Sequence, residues 1–208
     1  DEIPASRTYA AQSQPLGHGM QFWVAQEQGA RYPIADDPSV SHGLLHRLDR
    51  QTSGGLLWAK SYSAYFAARL QFVAQRVRKE YICLCHGWLG RSPRFFQAPL
   101  LEVLPEDGPP RTVVSPEGRP SRTELLDAGH LLCPEGGRVS LVELRLHTGR
   151  QHQIRVHLSN EGHPLVGDAT YGGDVRAWCP RVGLHSTGLS LEVKGSRCEA
   201  EAPLPADL

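Results

Sequence analysis

The chain has 208 residues, with 22 Lys and Arg balanced by 22 Asp and Glu, so it carries no formal net charge at pH 7. That length suits one domain with a real core, and the neutral balance, with no polybasic run, argues against a protein that coats nucleic acid non-specifically. Its five cysteines (Cys83, Cys85, Cys133, Cys179, Cys198) are an odd number in no framework spacing, which points to a reducing, intracellular setting, cytoplasmic or organellar, and not to secretion. No signal peptide, membrane-length apolar run or amphipathic anchor is evident.

Residues 1–21 are polar and rich in Gly, Pro, Gln and Ser, and read as an irregular lead-in. Phe22-Trp23-Val24-Ala25 suggests a short strand ending before Gly29, and 31–41 is a loop by composition. The domain division expected is a lead-in over 1–41 and a catalytic domain over 42–208. From His42 to Lys60 one carboxylate, Asp49, stands among Arg47, Arg50, His42 and His46. A polar turn, two glycines and an apolar run at 55–59 follow, the last read as a buried strand. Neighbouring cations favour an ionised aspartate, and glycines let a ligand or another backbone approach closely. Asp49 and Thr52 closing an ordinary turn is an equal alternative from these residues alone.

His46-Arg47-Leu48-Asp49-Arg50-Gln51-Thr52-Ser53-Gly54 resembles the signature block of the RluA-type pseudouridine synthases, in which the aspartate is the catalytic residue. The family strand that ends in Lys-Pro-x-Gly has no counterpart here; either residues 22–35 replace it or it lies upstream of Asp1. No internal repeat, low-complexity segment or S4-type RNA-binding domain is found.

Further along, Ser61 is placed to cap a helix, on which Phe66, Leu70 and Val73 recur as an apolar face. Residues 80–89 alternate as a strand, with Tyr81, Cys83 and Cys85 on one face and Ile82, Leu84 and His86 on the other. Leu70-Gln71-Phe72, Arg76, Val77 and Lys79-Glu80-Tyr81 resemble the next family block, whose tyrosine faces the aspartate. Cys85 and His86 point to opposite faces and no second ligand pair follows, so a metal site is not expected. The proline-rich stretch 91–120 suits a hairpin or edge segments. Gly118 to Leu125 resembles a family segment leading into a central strand. Residues 123–127 and 138–147 then read as antiparallel strands, with Val142, Leu144 and Leu146 on one face.

His147-Thr148-Gly149-Arg150-Gln151-His152-Gln153-Ile154-Arg155-Val156-His157-Leu158 is the second chemically loaded stretch. The spacing predicts a helix from about 151 to 161, stopped by Gly162. Gln151, Arg155 and Leu158 would line one side, with His152 beside Arg155. The block resembles the family's Thr-Gly-Arg-x-His-Gln-Ile-Arg-x-His-Leu, whose second arginine contacts the catalytic aspartate. His163 to Asp168 and Tyr171-Gly172 continue the likeness as a loop shaping the site. Leu184-His185 and Leu189, Leu191 and Val193 form a closing strand, and 201–207 resembles the family's C-terminal tag.

The resemblance implies an α+β fold with a mixed, mostly antiparallel sheet, flanking helices and a central cleft. It also implies conversion of uridine to pseudouridine in RNA without cofactor or metal. Asp49 would be essential, as a nucleophile or as a base on the ribose. Arg155 would keep it charged and oriented, and Tyr81 would stack on the base and help remove the proton from carbon 5. The target uridine would be extruded from its helix into the pocket. Arg47, Arg50, Arg76, Lys79, Arg150 and His152 are the RNA-binding candidates. The implied partner is ribosomal, transfer or messenger RNA, and the protein is expected to be a monomer away from membranes. An RNA-binding protein that has lost catalysis on the same scaffold is the alternative. A sugar-bond hydrolase would need a second carboxylate, for which Asp168 is the candidate.

Overall fold

The computed structural model describes residues 19–208 except Asp107 and Pro134; the first 18 residues of the expected lead-in lie outside them. In chain order come helix α1 (Met20–Gln28), two short 3-10 segments (Pro33–Asp36 and Pro38–Gly43), strand β1 (Ser53–Gly54) and helix α2 (Tyr62–Val73). Then follow β2 (Arg78–His86), β3 (Arg94–Phe96), β4 (Leu100–Val103), β5 (Arg111–Val114), β6 (Thr123–Leu132) and β7 (Arg138–Leu146). Helix α3 (Gln153–Asn160), β8 (Leu184–Val193) and β9 (Ser196–Glu201) complete the order. The class is α+β, and every strand pair with a defined register is antiparallel.

The chain forms two compact units. The first comprises the described residues up to Leu48, Ser53–Arg78 and Gly188–Pro203. Its core gathers Ile34, Val40, Leu45, Leu57, Tyr65 and Leu191 with their neighbours. Three expectations change here. Phe22–Ala25 lies within α1 and not in a strand, because a four-residue apolar run flanked by Gln21, Gln26 and Gln28 does not distinguish the two periods. The apolar run at 55–59 is buried at Gly55, Leu57 and Ala59, but only Trp58 makes a β-bridge, to Leu44. On α2 the Ser61 hydroxyl accepts from the Ala64 N–H as expected, yet Phe66, Leu70 and Val73 are exposed, while Ala64, Tyr65 and Ala68 are buried. Small side chains at 64 and 68 let that face approach its neighbours closely, which outweighs the larger apolar area of the opposite face.

The second unit comprises Asp49–Thr52, Lys79–Thr187 and Leu204–Leu208. Its sheet runs from the first part of β8 through β2, β7 and β6 to β3. β2 pairs with β7 from Lys79↔Leu146 to His86↔Val139, and β6 with β7 from Thr123↔Leu146 to Leu132↔Arg138, with a bulge between Leu125 and Asp127. Tyr81, Cys83 and Cys85 are buried on one face, in line with the alternation, as are Val142, Leu144 and Leu146. Each such aliphatic side chain contributes about 1.5–3 kcal/mol of burial. β4 and β5 form a separate hairpin within 91–120. α3 begins at Gln153 and not at 151 because His152 is left-handed (φ 53°); Gly162 (φ 82°) stops it. No helix among the described residues is long and apolar enough to cross a membrane.

Candidate active site

The second unit holds Asp49, Tyr81, Arg155 and most of the other expected residues. Asp49 opens a turn in which its backbone carbonyl accepts the Thr52 N–H at 2.9 Å. The backbone of Asp49 thus closes a turn, and its carboxylate projects from it. Gln51 fastens that turn, its Oε1 accepting the Val182 N–H at 3.2 Å and its carbonyl accepting from Arg181 Nη1 at 3.2 Å. Asp207 in turn holds Arg181 through Nε and Nη2 at 2.7 and 3.0 Å.

Arg155 reaches this carboxylate from α3. Its Nη1 donates to Asp49 Oδ2 at 3.3 Å, while its Nε and Nη2 donate to the two oxygens of Asp168 at 2.7 and 2.8 Å. Asp168 is 1% exposed and the Arg155 side chain 9%, against 21% for Asp49. Burial alone would weaken the guanidinium's hold on its proton, but hydrogen bonds and charge from Asp168, with a further part from Asp49, leave its pKa above the ordinary arginine value. The arrangement is a buried, doubly bonded ion pair that also presents Nη1 to a more accessible carboxylate.

Two further features hold the cluster. Gln153, buried at the start of α3, accepts from the Thr148 hydroxyl and the Arg150 N–H and donates to the Arg122 carbonyl and Thr123 Oγ1. That satisfies all four of its hydrogen-bonding positions and fixes the loop before the helix. The loop carrying Asp168 is knotted on itself, with the Tyr171 and Gly173 N–H groups donating to the Asp168 carbonyl. A β-carbon at Gly173 would overlap the Leu165 carbonyl, so only glycine lets that backbone pass.

Tyr81 is buried on β2, and its phenol is pushed up to about 12, chiefly by burial, with the Asp49 charge adding and the Ser186 hydroxyl opposing. Among the described residues Ser186 Oγ is buried and in hydrogen-bonding geometry with no group, although close enough to the phenol to act on it. The phenol is thus protonated at neutral pH and senses the charge of Asp49. His152 faces Asp49, Nε2 to Oδ2 at 3.8 Å.

The remaining candidates divide. Lys79 lies in the same unit, partly buried, its pKa lowered first by burial and then by the nearby Arg150. Arg150 Nε donates to the Pro120 carbonyl, and Arg50 is exposed. Arg47 and Arg76 are exposed in the first unit, where Arg76 lines an open groove with Glu192 and Arg197. Among the described residues no three His, Cys, Asp or Glu side chains converge as a metal set. Sequence reasoning left out Asp168 as an arginine partner, and also Gln153 and Gln51. Asp168 had a usable signal in the His163–Asp168 block, whereas nothing in the spacing marks Gln51.

The second unit thus presents Asp49, the more accessible of the two carboxylates, to a buried guanidinium on an antiparallel α+β scaffold. The chain belongs to the RNA pseudouridylate synthase family, which residues 18–160 match, and its relatives make it RluA-type. It is 41% identical over 185 residues to an uncharacterized RNA pseudouridine synthase of Chloroflexus aurantiacus, covering 86% of this chain and 55% of that protein. It is 34% identical over 149 residues to the dual-specificity RNA pseudouridine synthase RluA of Vibrio vulnificus, covering 71% of this chain and 59% of the relative. The solved structure of human RNA pseudouridylate synthase domain containing 1 matches with a TM-score of 0.70 and 32% identity, over 78% of this chain and 69% of that one. The chain spans about half the length of the curated relatives it matches.

Proposed function

We propose that the chain carries the catalytic centre of an RNA pseudouridine synthase, an isomerase that converts uridines in RNA to pseudouridine with Asp49 as the essential residue. The observation that carries this reading is the 3.3 Å contact of Arg155 Nη1 with Asp49, beside a buried Tyr81 whose phenol feels the Asp49 charge. Asp49 acts on the ribose, the bond from ribose to N1 of uracil breaks with its electron pair left on the base, the base turns, and carbon 5 joins the ribose and loses its proton to solvent while N1 takes one up. Arg155 orients Asp49 and stabilises its charge. Tyr81 stacks on the extruded base; because its phenol rests protonated, a base role at carbon 5 requires its own proton to leave first.

Lys79, Arg150, His152 and Arg50 are assigned to RNA contacts in the unit that holds Asp49, and Arg47 and Arg76 to contacts made from the other unit. Residues 42–208 are taken as the catalytic domain, acting as a monomer inside the cell on ribosomal, transfer or messenger RNA.

The test uses RNA tritiated at carbon 5 of uridine and prepared from cells lacking the protein. Tritium release by the full chain that vanishes in Asp49→Ala is expected. RNA binding without release would replace the enzyme by a binding protein on the same scaffold. Free uracil in the incubation would point instead to hydrolysis of the sugar bond.

A further inference from the structure

We propose that Asp168 and Tyr171 are positioning residues that direct Arg155 and His152 onto a single oxygen of Asp49 and so reserve the other oxygen for the ribose. This rests on the reading of Asp49 as the essential residue. Both observed neighbours of the Asp49 carboxylate, Arg155 Nη1 at 3.3 Å and His152 Nε2 at 3.8 Å, face Oδ2. Among the described residues Oδ1 takes no hydrogen bond.

The convergence is a consequence of how the two donors are held. A guanidinium is a planar fork that prefers to bind a carboxylate through two parallel N–H groups. Asp168 occupies the side pair, Nε and Nη2, and so fixes the plane of the guanidinium, with Nη1 on Asp49 Oδ2. The Tyr171 ring lies against the guanidinium, its centroid 4.9 Å from the Arg155 central carbon, and this restrains rotation of the plane. Released from Asp168, the guanidinium plane is free to turn, and its end-on N–H pair can engage both oxygens of Asp49.

Tyr171 also sets the imidazole. Its hydroxyl oxygen accepts the Thr112 N–H at 3.0 Å and lies 2.8 Å from His152 Nδ1. With the Tyr171 hydroxyl donating to Nδ1, the neutral ring carries its proton on Nε2, the nitrogen that faces Asp49. The left-handed backbone of His152 (φ 53°) turns the ring into this position one residue before α3 begins. A purely structural Asp168–Arg155 pair would need neither the shared Oδ2 nor the tyrosine link to a second donor.

The experiment measures single-turnover tritium release from the carbon-5-labelled RNA at saturating enzyme. The enzyme concentration giving half that rate is determined alongside. Asp168→Asn keeps the size and loses the charge and one acceptor; its rate is expected to fall about 10- to 100-fold with half-saturation changed less than about threefold. Asp168→Glu, still able to accept two hydrogen bonds, is expected to recover at least threefold of that loss. Tyr171→Phe keeps the ring and removes the hydroxyl, with an expected loss of about three- to tenfold. Rates per folded molecule within twofold of the parent for Asp168→Asn and Tyr171→Phe, whatever their melting temperatures, would overturn the proposal. Should Asp168→Asn not fold, Tyr171→Phe decides by the same criterion. An inactive parent chain would instead refute the pseudouridine synthase reading, so the two failures are distinguishable.

Discussion

Replacing Arg155 by Met separates what the buried pair does for the fold from what it does for the chemistry. The substitution keeps a long side chain in place but leaves the Asp168 carboxylate, 1% exposed, without the two hydrogen bonds of 2.7 and 2.8 Å that satisfy it. Stranding a buried charge in this way costs about 3–5 kcal/mol. The lost contact to the more exposed Asp49 adds less than about 1 kcal/mol. In a chain of this size each kcal/mol moves the melting temperature by about 2–4 °C, so a fall of roughly 6–20 °C is expected. The double variant Arg155→Met/Asp168→Leu removes both charges, and because apolar replacement of a buried pair is often neutral, it should recover most of that loss. Tritium release should remain at least about 100-fold down in both, since the donor to Asp49 is gone. Thermal unfolding of the four proteins in this cycle, with release assayed on each, is the measurement. A single variant melting within 2 °C of the parent, or a double variant no more stable than the single, would refute the reasoning.

Tyr81→Phe should leave RNA affinity within about threefold and slow turnover by about 10²- to 10⁴-fold; filter binding with single-turnover release checks this, and a loss under tenfold would confine Tyr81 to stacking. Lys79→Met and Arg150→Met should each lower the slope of log affinity against log salt by about 0.7 for single-stranded RNA, which a salt titration of binding reads directly; an unchanged slope removes that residue from the phosphate contacts. His157, buried between Ser121 and Thr123, has its pKa lowered, first by burial. The unfolded chain therefore binds a proton near pH 6.5 that the folded chain refuses, and stability drops as pH falls below about 6.5. His86, also lowered by burial, acts in the same direction. Urea midpoints at pH 7.5 and 5.5 should show this drop, and His157→Gln should make it smaller; an equal drop would place its origin elsewhere.

The sequence by itself determined the features set by local periodicity and local chemistry. The alternation around Tyr81, Cys83 and Cys85, the antiparallel pair over 123–147, the Ser61 cap and the Gly162 stop depend on side-chain direction, hydrogen-bond capacity and permitted φ within a few residues. The motif blocks also carried Asp49, Tyr81 and Arg155, because residue identity at fixed spacing survives without knowledge of the fold. Tertiary structure decided what depends on competition between faces and on contacts distant in sequence. It buried Ala64 and Ala68 in place of Phe66 and Leu70, and it turned Phe22–Ala25 into part of a helix. It also set Asp168 on Arg155 and Gln51 on Arg181 and Val182. Only the folded chain brings such groups within hydrogen-bonding distance, and a buried guanidinium takes as partner whichever carboxylate the backbone delivers to it.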